Sequence, residues 1–366
     1  MTRIFVVNAG SSSVKYDVLD AGTGQSHASG LVERVTDYAA ALAEILADLD
    51  AESIDAVGHR VVHGGSIYSA AVVIDDDVEA EIERLSVLAP LHNPPGLEGI
   101  RAARAALPFI PHVAVFDTAF HATLPEAAFT YAIDTEVAAA HGIRRYGFHG
   151  TSYRYVSSRA AELLGRPLAD LRMIVAHLGN GASITAIDRG RSVDTSMGMT
   201  PLEGLVMGTR SGDLDPAVLL HLQRVGAFDA AGLDDLLNRR SGILGLGGHA
   251  DMRDLLAAST PDAALAVEVY VRRLRKYIGA YAAVLGRVDA VVFTAGVGEN
   301  SAVIRARVLE GLGFLGLEMD ASLNAAHADT DRRISTPAST VAALVIPTNE
   351  ELQIARETVE VVRGAP

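Results

Sequence analysis

The sequence predicts an α/β protein in two domains, on three observations. Short β-rich runs alternate with Ala/Leu-rich helical stretches. The chain has 366 residues, more than one hydrophobic core ordinarily organises. A strand, a tight loop of small residues and a second strand recur about 170 residues after they first appear. Composition agrees: 49% of the residues are apolar and 21% charged, which excludes a disordered or fibrous chain.

The strands are expected at 3–7, 14–19, 56–62, 112–116, 173–177, 183–187, 290–293 and 342–346, each a short run of β-branched or apolar residues bounded by polar or small ones. Helices are expected at 38–49, 78–89, 98–106, 153–164, 216–223, 233–238, 265–285 and 350–362, where apolar residues recur at helical spacing. No Pro- or Ser-rich linker separates two halves, so two domains packed around a cleft are expected.

Several classes of protein are excluded. No apolar run reaches the roughly 18–20 residues of a membrane helix. The run 4–7 is too short for a signal-peptide core, and no small-residue cleavage site follows it. The absence of cysteine excludes disulfides, thiolate metal sites and cysteine nucleophiles. A soluble, cytoplasmic protein with no membrane partner is therefore expected. Acidic residues outnumber basic ones 45 to 31, a net charge of −14. That is the wrong sign for wrapping nucleic acid, whose phosphates demand a basic stripe. The densest basic run, Arg272-Arg273-Leu274-Arg275-Lys276, reads as a solvated helix face. Any anion the chain binds must therefore be held by a local pocket.

The repeated unit supplies candidates for one. Ile4 to Lys15 and Ile174 to Thr185 each read as strand, small-residue loop, strand, and both loops let backbone N–H groups approach a ligand closely. A hairpin turn alone explains either loop singly; the recurrence in two halves favours a shared role. Lys15 is a point charge suited to phosphate oxygens, and Asn8 ends its strand with a neutral oxygen. The chain has no Gly-x-x-x-x-Gly-Lys-Ser/Thr, so it is not a P-loop enzyme. Gly296-Val297-Gly298-Glu299-Asn300 follows an apolar strand but lacks the third glycine of a dinucleotide site; a nucleotide contact and a plain strand-to-helix turn both fit it.

Isolated charged residues complete the set. His59 and His63 stand four apart in Gly58-His59-Arg60-Val61-Val62-His63. On a strand such positions are about 13 Å apart, too far to share one ion. Arg60 is a lone guanidinium, a fork for a carboxylate or phosphate or else half of a structural ion pair. Asp117 lies just past a strand, where α/β active-site residues commonly sit. His149 lies between glycines ahead of a helix and Arg210 in a small-residue loop, while Glu350 and Glu351 open the last helix and could merely complement its N-terminus. Isolated cations, a histidine, acids and phosphate-approaching loops are what phosphoryl transfer requires. No Ser-His-Asp elbow is present.

With these residues in place, the chain resembles the acetate kinase family, within the acetate and sugar kinase, heat-shock and actin superfamily. The matching segments are 8–15, 58–65, 90–95, 115–120, 146–152, 177–181, 192–215, 293–300 and 346–356, in family order along nearly the whole chain. The departures are a short region between 19 and 54 and Met252 where phenylalanine is frequent. The resemblance implies a duplicated actin-like ATPase (ribonuclease H-like) fold with a central cleft, formed by residues 1–119 plus 350–366 and by 120–349, the latter binding nucleotide and forming a homodimer.

It further implies reversible, direct in-line transfer of the ATP γ-phosphoryl group to acetate, giving acetyl phosphate and ADP. Asn8 and Glu350 would hold Mg²⁺ (Mn²⁺ as the alternative), and Lys15 would contact ATP. The nucleotide would be cradled by His177, Leu178, Gly179, Asn180 and Gly181, by Asp251, Met252 and Arg253, and by Gly296, Val297, Gly298, Glu299 and Asn300. Arg60 would bind the acetate carboxylate, Asp117 would be the active-site acid, and His149 and Arg210 would stabilise the transferring group. Val62, Leu91, Phe148 and Pro201 would enclose the methyl. A propionate or butyrate kinase, and a non-enzymatic actin- or chaperone-like nucleotide switch, are the alternatives.

Overall fold

The computed structural model describes residues 2–10, 13–90 and 92–364. They divide into two compact units, one of Met1–Ala122, Phe148–Tyr155 and Asn349–Pro366, the other of Thr123–Gly147 and Val156–Thr348. Residues 148–155 thus belong with the first unit, inside the range the sequence assigns to the second. Gly150 explains this. Its N–H donates to the Asp117 carbonyl at 2.9 Å, and a Cβ there would stand 2.2 Å from that oxygen. Only glycine lets the two segments meet.

The first unit holds the strands β1 (Arg3–Ala9), β2 (Ser13–Asp20), β3 (Ser26–Glu33), β4 (Ala56–Val61), β5 (Val72–Val73) and β6 (His112–Phe116), in the order β3-β2-β1-β4-β6-β5. β1 to β3 form an antiparallel meander, β4 runs parallel to β1 and β6 to β4, and β5 is antiparallel to β6. Alternate residues of β1 serve different cores, as a pleated strand requires. Phe5 and Val7 pack with Leu42, Ile45 and Ala103 from the helices Tyr38–Ala47 and Asn93–Ala106. Ile4 and Val6 pack with Leu352 and Ile354 from the helix Glu350–Gly364. Both faces of the sheet are therefore covered, which is why these strands read as continuous apolar runs.

The second unit holds β7 (Arg172–Leu178), β8 (Ala182–Asp188), β9 (Arg191–Thr195), β10 (Ala290–Thr294), β11 (Arg332–Arg333) and β12 (Ala342–Val345). Their order, β9-β8-β7-β10-β12-β11, repeats the first sheet strand for strand. Each orientation is repeated as well: an antiparallel meander, two parallel neighbours and an antiparallel edge. The repeat in the sequence is a duplicated fold.

All eight expected strands form. The four absent from the sequence reading, β3, β5, β9 and β11, are the sheet edges, where pairing on one side relaxes the demand for apolar residues. The expected helices form too, five of the eight with earlier starts: the long one is Pro261–Leu285, because Thr260 caps it, Pro261 fits its first turn and Gly286 closes it in the left-handed conformation. The basic run on that helix is less solvated than expected. Arg273 donates to the carbonyls of Gly204 and Asp213 at 2.8 and 3.1 Å, and Arg275 to that of Val308 at 3.2 Å.

His59 pairs with His112. His112 Nε2 lies 3.0 Å from the Leu107 carbonyl, and His112 Nδ1 lies 3.0 Å from His59 Nε2. A carbonyl only accepts, so His112 donates through Nε2 and its Nδ1 accepts from His59 Nε2–H. Burial, with Arg104 nearby, holds both imidazoles below their ordinary pKa, His59 well below. The unfolded chain takes up protons near pH 6.5 and the native pair resists them. Stability is therefore expected to hold above about pH 6.5 and to fall below it. His59→Gln keeps a donor for His112 and removes one proton site, so its Tm should vary less steeply between about pH 7.5 and 5. An unchanged slope would show that His59 titrates alike in both states.

Candidate active site

In the first unit β1 and β2 pair so that Asn8 and Lys15 are cross-strand neighbours. β4 runs beside β1 and carries Arg60; β6 runs beside β4, and Asp117 follows its end. The Asp117 N–H donates to the Val61 carbonyl at 2.9 Å, fixing that residue beside Arg60.

Arg60 and Asp117 form a bidentate pair. Arg60 Nε lies 3.1 Å from Asp117 Oδ1 and Nη2 lies 2.7 Å from Oδ2. The Asp117 carboxylate is buried. Arg60 Nη1 lies 3.5 Å from Asn8 Oδ1, and Nε lies 4.0 Å from Glu350 Oε2. Lys15 pairs with Glu351. Five charged residues from four separate places in the sequence thus form one cluster, with Asn8 at its edge.

Burial disfavours the Arg60 charge, but Asp117 and Glu350 outweigh it and raise the pKa, so the guanidinium is always cationic. For Glu350 the balance goes the other way. Burial, together with Asp117 and Glu351, pushes its carboxyl above the usual range against the pull of Arg60 and Lys15. Three carboxylates face two cations here, and Asp117 occupies the inner edge of Arg60. On the outer Nη1–Nη2 edge Nη1 meets the Asn8 amide oxygen at 3.5 Å, and the remaining N–H donors of that edge suit another carboxylate.

His149 belongs to the same unit. It adopts a left-handed conformation at φ 58° immediately before Gly150, which is bonded to Asp117. Phe148 is buried with its ring centroid 5.6 Å from that of His63, edge to face, and Val62 is half-buried just past β4. Leu91 lies outside the described residues. Pro201 and Arg210 lie in the second unit, where Arg210 donates to the Pro201 carbonyl at 3.0 Å. Burial alone lowers the Arg210 pKa, and no carboxylate among the described residues pairs with it.

The second unit also contains a cavity of about 820 Å³, the size of a small-molecule site. Gly179, Asn180, Asp251, Met252, Arg253, Gly296, Val297 and Asn300 line it. The remaining expected nucleotide residues do not. His177 and Leu178 are buried at the end of β7, and Gly181 precedes β8. The Glu299 carboxylate accepts from the backbone N–H groups of Ala295 and Thr348, at 2.6 and 3.1 Å, and so shapes the wall from behind. The segment from Gly296 to Asn300 is a helix, Ala295–Asn300, rather than a loop, and Asp251 caps the helix Met252–Ala257. Arg253 holds the Asp251 carboxyl down to about 2.

Sequence reasoning missed Arg305, which is fully buried and donates to the carbonyls of Gly298 and Glu299 at 2.9 and 2.8 Å. Burial, with Arg332 nearby, pulls its pKa down to about 10. It also missed Ile243, Leu256 and Tyr270, apolar members of the cavity wall that look in sequence like ordinary core positions.

Known proteins resemble the chain from end to end. The acetokinase family matches residues 35–356. A curated relative, acetate kinase of Leifsonia xyli, is 53% identical, and the alignment covers 99% of each chain. Among solved structures, Porphyromonas gingivalis acetate kinase superposes with a TM-score of 0.95 at 43% identity, covering 99% of this chain and 100% of that one. A propionate kinase from Francisella tularensis superposes with a TM-score of 0.93 at 41% identity and the same coverage. With the fold duplicated as the resemblance implied and the likeness spanning 99% of the chain, this protein belongs to the acetokinase family.

Proposed function

We infer that the protein is an acetate kinase, moving the γ-phosphoryl group of ATP reversibly onto acetate. The observation that carries this reading is identity of 53% to a curated acetate kinase over 99% of both chains. Acetate is already ionised at neutral pH, so the nucleophile needs no base. One carboxylate oxygen attacks the γ-phosphorus as the bond to the β,γ-bridging oxygen breaks, and that electron pair leaves with ADP. The difficulty is bringing two anions together, and it is met by positioning and positive charge.

In this mechanism the outer edge of Arg60 binds the acetate carboxylate, and Asp117 acts as a positioning residue that locks the guanidinium from behind. His149 and Arg210 donate to the phosphoryl oxygens as charge spreads over them. No carboxylate among the described residues pairs with Arg210, which supports its part, since a half-buried guanidinium so placed is ready for an anion. Val62 and Phe148 provide apolar surface for the methyl. Gly179, Asn180, Asp251, Met252, Arg253, Gly296, Val297 and Asn300 hold the nucleotide, and Lys15 a phosphate oxygen.

The Asn8 amide oxygen and the Glu350 carboxylate suit Mg²⁺, a hard cation that keeps most of its water and takes phosphate oxygens besides one or two protein ligands. The surplus of carboxylates over cations around Glu350 fits such an ion. When bound, it neutralises phosphate charge.

The test is a coupled assay of ADP formation from Mg²⁺-ATP with acetate, propionate and butyrate. Acetate should give the highest kcat/KM. Propionate should retain measurable activity, because one methylene is worth only about 1–3 kcal/mol of discrimination. ADP formation that ignores every carboxylate added would remove the reading and favour a nucleotide switch.

A further inference from the structure

Arg210 lies in the irregular segment between β9 and the helix Pro216–Arg224, where its guanidinium donates to the Pro201 carbonyl at 3.0 Å and meets the Met207 sulfur at 3.8 Å. The place of that carbonyl therefore helps to set the place of the guanidinium. Pro201 stands in the middle of the stretch 199–203, and no backbone hydrogen bond among the described residues joins the two ends of that stretch. Tyr131 joins them. Its hydroxyl accepts from the Met199 N–H at 3.1 Å and donates to the Glu203 carboxylate. A carboxylate only accepts, so the hydroxyl spends its one proton on Glu203 and a lone pair on Met199. Burial and Glu203 both push the phenol pKa up, and the proton stays in place.

This staple is itself held. Arg145 donates to the Glu203 carboxylate at 2.7 Å and to the carbonyls of Ser196 and Met197 at 3.1 and 3.2 Å. The same guanidinium lies 5.5 Å from the centre of the Tyr131 ring, within reach of a cation–π contact. The N–H groups of Tyr146 and Gly147 both donate to the Gly198 carbonyl, at 3.0 and 3.2 Å. A Cβ at Gly198 would collide with the Glu203 carboxylate and the Tyr131 hydroxyl, so the stretch is seated against them without slack. All of these groups belong to the second unit, and none of them lines the 820 Å³ cavity. Removing an ion pair from water costs desolvation that an apolar contact would avoid; what this one provides is a fixed place for the Pro201 carbonyl. Resting on the reading of Arg210 as a donor to the transferring phosphoryl group, we propose that Tyr131 is a positioning residue, whose hydroxyl closes the 199–203 turn so that the Pro201 carbonyl holds the Arg210 guanidinium in its productive place.

Tyr131→Phe tests this by removing the staple and keeping the ring. Its kcat should fall about 10- to 100-fold, the scale for misplacing a group by up to about 1 Å. The KM values for ATP and acetate should stay within about twofold of the parent protein, because the loss is confined to the transition state. The decisive arm is the Arg210→Ala background. There Tyr131→Phe should change the residual kcat by less than about twofold, since the group it positions is gone. Glu203→Gln, which keeps an acceptor for the hydroxyl, should show a smaller loss with the same dependence on background, and it stands in if Tyr131→Phe does not fold. A kcat for Tyr131→Phe within about twofold of the parent would overturn the proposal. Equal falls in both backgrounds would overturn it too, being the mark of a general structural loss. If the parent forms no ADP in response to acetate, the functional reading fails by itself, and hydrogen exchange at the Met199 amide still reads the staple. Exchange about tenfold faster in Tyr131→Phe would uphold it, and an unchanged rate would overturn it.

Discussion

Arg210→Ala lowers kcat by about 10²–10³, the scale for removing one preorganised donor to the transition state, and leaves the fold intact. Arg210 has no carboxylate partner among the described residues, so truncation strands no buried charge; it deprives the Pro201 carbonyl and the Met207 sulfur of a donor. Burial already works against its charge, so Tm should hold steady or rise slightly. Steady-state kinetics beside a thermal melt would decide the point. A kcat within a few-fold of the parent protein would remove Arg210 from the chemistry.

Arg60→Ala has the opposite stability signature. Its removal leaves the buried Asp117 carboxylate without its bidentate partner and Glu350 without its nearest cation. Breaking a buried pair from one side costs about 3–5 kcal/mol. The acetate KM should rise as well as kcat fall, because the outer edge of the guanidinium acts in substrate binding. The double variant Arg60→Ala/Asp117→Asn separates the two effects: it should regain most of the lost stability and none of the activity. If the single variant melted like the parent, the pair would be ornamental to the fold; if its acetate KM were unchanged, Arg60 would not be the carboxylate site.

The contrast between the arginines marks how far sequence reasoning reaches. Each reads as a lone cation among small residues, and nothing nearby in sequence says that one is neutralised. The partner of Arg60 lies 57 positions away and meets it through parallel pairing of β4 and β6. Strand periodicity and the small-residue hairpins were legible because they are local. The edge strands were not, since half-exposed strands need no apolar alternation. Glu299 shows the same limit within a motif: its position suggests a ligand contact, yet its carboxylate ties Ala295 to Thr348. Tyr270 was hidden for another reason, because at helical spacing among Ala266, Val267 and Leu274 a tyrosine looks like any core residue.

Gly58 carries a further consequence. A Cβ there would come within 2.6 Å of Thr358 Oγ1 and 2.8 Å of the Ile354 side chain, so β4 and the helix Glu350–Gly364 seat directly on one another. Two residues along the strand is Arg60, and at the start of that helix is Glu350. The absent methyl acts as a shim of zero thickness under a lever: any added atom would tilt the helix off the sheet and carry the acid away from the arginine. The spacing of the charged cluster is thus set some distance from it, by a position that bears no functional group at all.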